Sequence, residues 1–173
     1  LIAESASGRK NPKWLDTAEE LSGQLRSNLL THEAQLLDLT AARVAIAVDD
    51  LTGAGELLAR GRTEATDSLT ERLLELRAKA DLALARGRQR EALGHLGGGL
   101  DLLHNWQASF GSLDLMSSVV GHGRSLATIG IQLAIADGSP ELVFEWSERA
   151  RALTTRVVPV RPPQDAQLAA DLV

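Results

Sequence analysis

Residues 137–152 read Asp-Gly-Ser-Pro-Glu-Leu-Val-Phe-Glu-Trp-Ser-Glu-Arg-Ala-Arg-Ala, and this stretch decides the predicted fold. Gly138 suits the left-handed conformation that ends a helix, Ser139 can cap the next helix, and Pro140 fits that helix's first position. The pattern predicts a helix end, a tight turn and a new helix. Related turns are predicted at residues 85–93 and, more weakly, at residues 48–54. Three helix-turn-helix units in one chain predict an α-solenoid, a fold that usually serves as a binding scaffold.

The composition predicts an all-α fold. Hydrophobic residues make up 44% of the 173 residues and aromatic residues only 3%, so leucine and alanine must fill most of the core. Both are strong helix formers, and few β-branched runs reach the length of a strand. Helical spacing of the apolar residues predicts about seven helices arranged as antiparallel pairs. Their predicted starts are Pro12, Thr31, Thr52, Ser68, Gln89, Ser112 and Pro140.

The domain organisation follows from a change in composition after Thr155. Residues 1–155 are predicted to form the helical repeat domain, and residues 156–173 a proline-rich connector followed by the start of a truncated helix or domain. Residues 157–163, Val-Val-Pro-Val-Arg-Pro-Pro, exclude a helix because each proline biases the preceding residue towards extended geometry. We therefore expect the chain to be a fragment of a longer polypeptide.

Composition and charge argue against several classes of function. The net charge of −5 argues against a nucleic-acid surface, which needs a concentrated basic face. The absence of cysteine excludes disulfides, thiolate zinc sites and a cysteine nucleophile within these residues, and it fits a cytoplasmic protein. No apolar run approaches the roughly 20 residues that cross a bilayer. No nucleophile–base pair or metal cluster is apparent, so we expect no catalytic residues, no metal, no cofactor and no enzymatic activity.

Two glycine-rich segments lie inside predicted helices. Residues 97–99 are three consecutive glycines, and we expect either a close approach of a neighbouring helix there, which we favour, or a bend or break of the helix. Residues 121–125, Gly-His-Gly-Arg-Ser, lack the strand and the Lys-Ser/Thr ending of a phosphate-binding loop. Their glycines are interpreted as allowing close helix crossing or a kink.

The unit around Gly87 resembles a tetratricopeptide repeat. Its pattern of small residues and one leucine is formed by Ala80, Gly87, Ala92, Leu96 and Gly99. The large aromatic residue that is usual on the first helix is absent, since Ala83 and Leu84 stand there. The turns also lack a strict period: 37 positions separate Asp50 from Gly87, near the roughly 34 of such a repeat, but 51 separate Gly87 from Gly138. The repeats are therefore degenerate.

A second resemblance covers residues 111–173. Its segments are residues 123–127 (Gly-Arg-Ser-Leu-Ala), 130–134 (Gly-Ile-Gln-Leu-Ala), 146–152 (Trp-Ser-Glu-Arg-Ala-Arg-Ala) and 159–163 (Pro-Val-Arg-Pro-Pro). They resemble the helical region that directly precedes the protease-like domain of actinobacterial CHAT-domain proteins, a bacterial family that joins tetratricopeptide-like repeats to a caspase-type cysteine protease. No residue here matches that domain's catalytic His and Cys. The resemblance implies a scaffold that recognises a protein or peptide partner or substrate, and positions or regulates the adjacent C-terminal domain.

The alternative is a helical repeat sensor or oligomerisation segment of a large bacterial transcription regulator, because such segments share the Ala-Leu-rich texture. In either case, solenoids bind in the concave groove lined by the first helix of each pair. That rule predicts partner-binding residues on three of the helices: Arg43, Arg77, Lys79, Arg124 and Gln132.

Overall fold

The computed structural model describes residues 12–60, 68–109 and 113–153, which form seven helices and no strand. The helices are α1 (Pro12–Ser27), α2 (Thr31–Ala47), α3 (Leu51–Arg60), α4 (Leu69–Ala85), α5 (Gln89–Ser109), α6 (Leu113–Asp137) and α7 (Pro140–Ala152). The all-α prediction is confirmed, and each predicted start lies within one residue of the observed one. The predicted connector at residues 156–173 lies outside the described residues.

Three of the turns between helices share one hydrogen-bonding pattern. The second residue after each helix end has a left-handed backbone, with φ of 63° at Leu29, 63° at Asp49 and 72° at Gly87. The N–H of each donates to the carbonyl three residues back, and the N–H of the next residue donates to the carbonyl five back. This is the Schellman arrangement, which satisfies carbonyls that a helix end would leave unpaired.

The α6–α7 turn combines a left-handed glycine with a side-chain cap. Gly138 has φ of 79°, and the Ser139 hydroxyl accepts a hydrogen bond from the Leu142 N–H at 3.2 Å. Pro140 occupies the first helical turn, where its missing N–H costs nothing. The roles predicted for these residues are confirmed.

The helices form a chain of neighbours. Each helix contacts the next one in sequence, and α4 also contacts both α2 and α6. One apolar cluster joins α1 to α4 and a second joins α4 to α7, so α4 belongs to both. Contacts between alternate helices are those expected of stacked antiparallel pairs α2–α3, α4–α5 and α6–α7. The superhelical course of a solenoid stays a prediction.

Two glycines of α5 lie against side chains of α6 and α7. Helix α5 continues through residues 97–99, so the alternative of a helix break there is wrong. A methyl group on Gly99 would lie 2.6 Å from a Leu126 methyl carbon of α6, and one on Gly97 would lie 2.9 Å from the Arg149 guanidinium of α7. Leu126 therefore packs closely against Gly99, as favoured, whereas the contact at Gly97 is with the end of a long side chain and Gly98 faces open space.

Glycines in α6 accept large side chains from both of its neighbours. Gly123 lies against Leu103 of α5 and Leu153, which follows α7, while Gly130 lies directly beneath the indole of Trp146. The close-packing interpretation is therefore supported at Gly123, whereas Gly121 faces open space. Trp146 is 2% exposed and Trp14 is 5% exposed, as expected of core anchors.

Candidate partner-binding surfaces

Arg77 is fixed at the contact between α4 and α6. Its Nη1 donates to the Ser125 hydroxyl at 2.7 Å, and its Nε donates to both carboxylate oxygens of Asp81 at 2.9 and 3.1 Å. Asp81 is one turn along α4, so the guanidinium is held from its own helix and from the neighbouring one. Such a planar, oriented cation is suited to binding carboxylate or phosphate groups.

Gln132 belongs to the same part of the surface as Arg77. It lies seven residues after Ser125, two turns along α6, so the two α6 side chains share one face. Arg124 immediately precedes Ser125 and is therefore turned by about 100° from it. Both Gln132 and Arg124 are exposed, and neither forms a hydrogen bond or ion pair through its side chain with the described part of the chain.

Arg43 lies on α2, which contacts α4 as α6 does. It is exposed, and within the described ranges its side chain has no hydrogen bond or ion pair. Arg43, Arg77 and Gln132 thus lie on three helices that are joined through α4. We call the exposed side of these helices, represented by these three residues, the even-helix face.

Lys79 is separated from this face by the geometry of α4. It follows Arg77 by two residues, a rotation of about 200°, and its ammonium group pairs with Glu75 one turn earlier. Lys79 instead lines a groove bounded by α3 and α5 on the other side of α4. The structure therefore does not bring the five predicted residues together on one surface.

The groove between α3 and α5, called the α3–α5 groove below, has a volume of about 330 Å³. Small residues and leucines of α3 and α4 line it, and charged residues from α4, the α4–α5 turn and α5 lie at its rim. Its lining consists of Gly55, Leu58, Ala59, Lys79, Leu82, Ala83, Arg86, Glu91 and His95. Arg86 and His95 were not predicted from the sequence as groove residues. The pattern that could have indicated a groove is the placement of small residues next to Leu58 and Leu82.

Two buried carboxylates lie at contacts of α2 with α1 and α4. Asp38 of α2 is 1% exposed and pairs with Arg26 of α1, which also donates to the Ser22 hydroxyl at 2.7 Å. Glu71 of α4, also 1% exposed, contacts the Nδ1 atom of His32 on α2. A buried charge needs a partner, yet one oxygen of Asp38 and both oxygens of Glu71 accept no hydrogen bond from the described residues. No three metal-ligating side chains come together among the described residues.

An exposed apolar patch surrounds the α6–α7 turn. Ile135 and Phe144 are 62% and 69% exposed, and they flank Pro140 and Val143. The neighbouring Glu141 has its pKa lowered below the ordinary value, first by its own backbone N–H and then by the Ser139 hydroxyl, which donates to it at 2.9 Å. The patch therefore adjoins a carboxylate that is held in its ionised form.

Comparison with known proteins finds no match: no family model, no curated protein and no solved structure is significantly similar to this chain. Within the described ranges, no helix combines the length and the apolar character needed to cross a membrane.

Proposed function

We propose that this chain is a non-catalytic scaffold for protein–protein interaction. The observation that carries the proposal is the contact of α4 with both α2 and α6, which places alternate helices side by side. Their exposed side forms the even-helix face, where Arg43, Arg77 and Gln132 offer hydrogen-bond donors to a partner. Arg77 is already oriented by Asp81 and Ser125, so less side-chain entropy is lost when it binds.

In the proposed role, the scaffold recognises a protein or peptide partner or substrate and positions or regulates a C-terminal caspase-like protease. This part of the proposal is supported only by the resemblance of residues 111–173 to the helical region of CHAT-domain proteins. A cytoplasmic location in a bacterial cell belongs to the same proposal. The second candidate, a sensor or oligomerisation segment of a transcription regulator, would use the same helices.

The test of the scaffold proposal is capture of partners by variants of the even-helix face. The double variant Arg43→Glu, Gln132→Glu changes two exposed positions that make no side-chain hydrogen bond with described residues. Arg90→Glu, on the exposed side of α5, is the matched control. We expect a partner identified by mass spectrometry to bind the unchanged chain and the control, and to be lost from the double variant. Equal capture by all three proteins would exclude the even-helix face, and no capture above background would contradict the scaffold role.

A further inference from the structure

We propose that the α3–α5 groove binds a small aliphatic carboxylate. The proposal is independent of the scaffold function and concerns the opposite side of α4 from Arg77. A volume of about 330 Å³ falls at the lower end of the range for small-molecule sites, about 300–1,000 Å³. It is too small for a docked helix. The occupant we infer is therefore a small molecule rather than a protein segment.

The floor of the groove is apolar. Leu58 of α3 and Leu82 and Ala83 of α4 are 4%, 7% and 2% exposed. Gly55 and Ala59 occupy the α3 wall, one turn apart; Arg86 lies over Gly55, and Ala59 is exposed. An aliphatic chain in the groove would cover Ala59 and the remaining exposed edges of the two leucines, and this removal of apolar surface from water favours binding.

Arg86 provides the charge that selects an anion. Its Nη2 atom donates to the Leu51 carbonyl at 2.7 Å and would lie 2.9 Å from a methyl group on Gly55, so it is anchored at the α3 wall. A guanidinium has five N–H donors in a planar fork, and this single bond leaves donors for a carboxylate. No acidic side chain of the described ranges pairs with Arg86.

The other charges at the rim are already paired. Lys79 pairs with Glu75, and Glu91 pairs with Arg88 at 3.3 Å. His95 lies 3.9 Å from Glu91. The uncompensated charge of the groove is therefore the positive charge of Arg86, which is why we assign an anion rather than an amine. Lys79 lies seven residues before Arg86, a rise of about 10 Å along α4, so an extended aliphatic chain fits between them.

The test uses hexanoate as the probe and hexanol as its uncharged analogue, with amide NMR of the whole chain as the readout. We expect hexanoate to shift the amides of groove residues saturably, and hexanol to bind about tenfold more weakly because it cannot pair with the guanidinium. Arg86→Gln should weaken hexanoate binding by about tenfold and leave hexanol binding unchanged. Arg90→Gln, which removes an exposed arginine of α5 outside the groove, should leave both unchanged.

A second variant tests the apolar floor without changing any charge. Ala59→Leu should fill the groove and abolish binding of both probes, whereas Ala85→Leu, exposed on α4 but outside the groove, should not. Equal affinities for hexanoate and hexanol, or unchanged hexanoate binding by Arg86→Gln, would overturn the assignment of the carboxylate. Absence of saturable shifts with hexanoate would overturn the site. Binding of a short peptide ending in leucine, without binding of hexanoate, would show that a chain terminus occupies the groove and would also overturn the proposal.

Discussion

Gly130→Ala is the substitution whose effect the structure defines most sharply. A methyl group at this position would lie 2.6 Å from the Cδ2 atom of Trp146 and closer still to two other carbons of the indole. Carbon atoms in favourable contact are about 3.5–4.0 Å apart, so the ring or the backbone of α6 must move by about 1 Å or more. The indole is rigid and 2% exposed, so it cannot move aside without disturbing the contact between α6 and α7.

The expected loss of stability from Gly130→Ala is about 2 kcal/mol. Overpacking of a tight core costs about 1–3 kcal/mol, occasionally more, whereas replacing a helical glycine by alanine contributes about 1 kcal/mol in the opposite direction. The severity of the overlap places the steric cost at the upper end of its range. Urea unfolding followed by far-ultraviolet circular dichroism measures the net change, and the intrinsic fluorescence should change with the displacement of Trp146.

Gly94→Ala is the matched control, because a methyl group on this exposed glycine of α5 would meet nothing within 4 Å. It should stabilise the protein by up to about 1 kcal/mol. In a Trp146→Ala background the steric overlap is absent, so Gly130→Ala should also become stabilising. The reasoning is refuted if Gly130→Ala stabilises the unchanged chain as Gly94→Ala does, or if the effect of Gly130→Ala is the same with and without the indole.

Substitutions at three further positions probe the cap, the buried ion pair and the Glu141 carboxylate by the same unfolding measurement. Ser139→Ala removes the hydroxyl that accepts the Leu142 N–H and should cost about 1 kcal/mol; Ser139→Asp, which can also cap, should restore most of the loss. Arg26→Ala leaves the buried Asp38 carboxylate without its ion-pair partner and should lower the free energy of unfolding by about 2 kcal/mol. The loss is smaller than for a fully buried pair because Arg26 is partly exposed. A change within error of zero would contradict the pairing. Because the pKa of Glu141 is lowered in the folded state, its ionised carboxylate stabilises the fold fully above the ordinary pKa of 4.5, and this stabilisation is lost as the pH falls through the folded-state pKa. In Glu141→Gln, the free energy of unfolding should therefore fall less steeply as the pH is lowered. An unchanged pH dependence would exclude this contribution.

The helices could be predicted from sequence because their ends are set locally. Ser139 and Pro140 act within one turn of the chain, and Gly87 needs only its own left-handed backbone. Helix α1 ends at Ser27, although no glycine or proline follows before α2 begins at Thr31. Leucine at a left-handed position carries no sequence signal, since L-residues other than glycine, asparagine and aspartate rarely adopt it. Leu29 is 87% exposed, and the turn is closed by the backbone hydrogen bonds of the Schellman arrangement.

The candidate surfaces could be predicted only in part, because a helix face is decided by its neighbours. Arg77 and Lys79 are both polar residues of α4, and composition alone does not distinguish them. Their separation by about 200° directs one to α6 and the other to the α3–α5 groove. Arg86 follows the end of α4, where it resembles a solvated turn residue, and its role depends on α3 lying within reach. A contact between residues far apart in the sequence leaves no recognisable pattern in the sequence around either residue.

In the second half of the chain, helical glycines pack against a small number of large side chains. Gly130 accepts Trp146, and Gly123, seven residues earlier on α6, lies against Leu153, seven residues after Trp146. The two sites therefore share one face of α6 and fix an antiparallel register with α7. A helical glycine costs about 1 kcal/mol, whereas truncating a buried tryptophan costs about 3–5 kcal/mol. The stability gained by burying Trp146 therefore exceeds the stability lost by placing Gly130 in a helix. Glycine is favoured at this position for that reason.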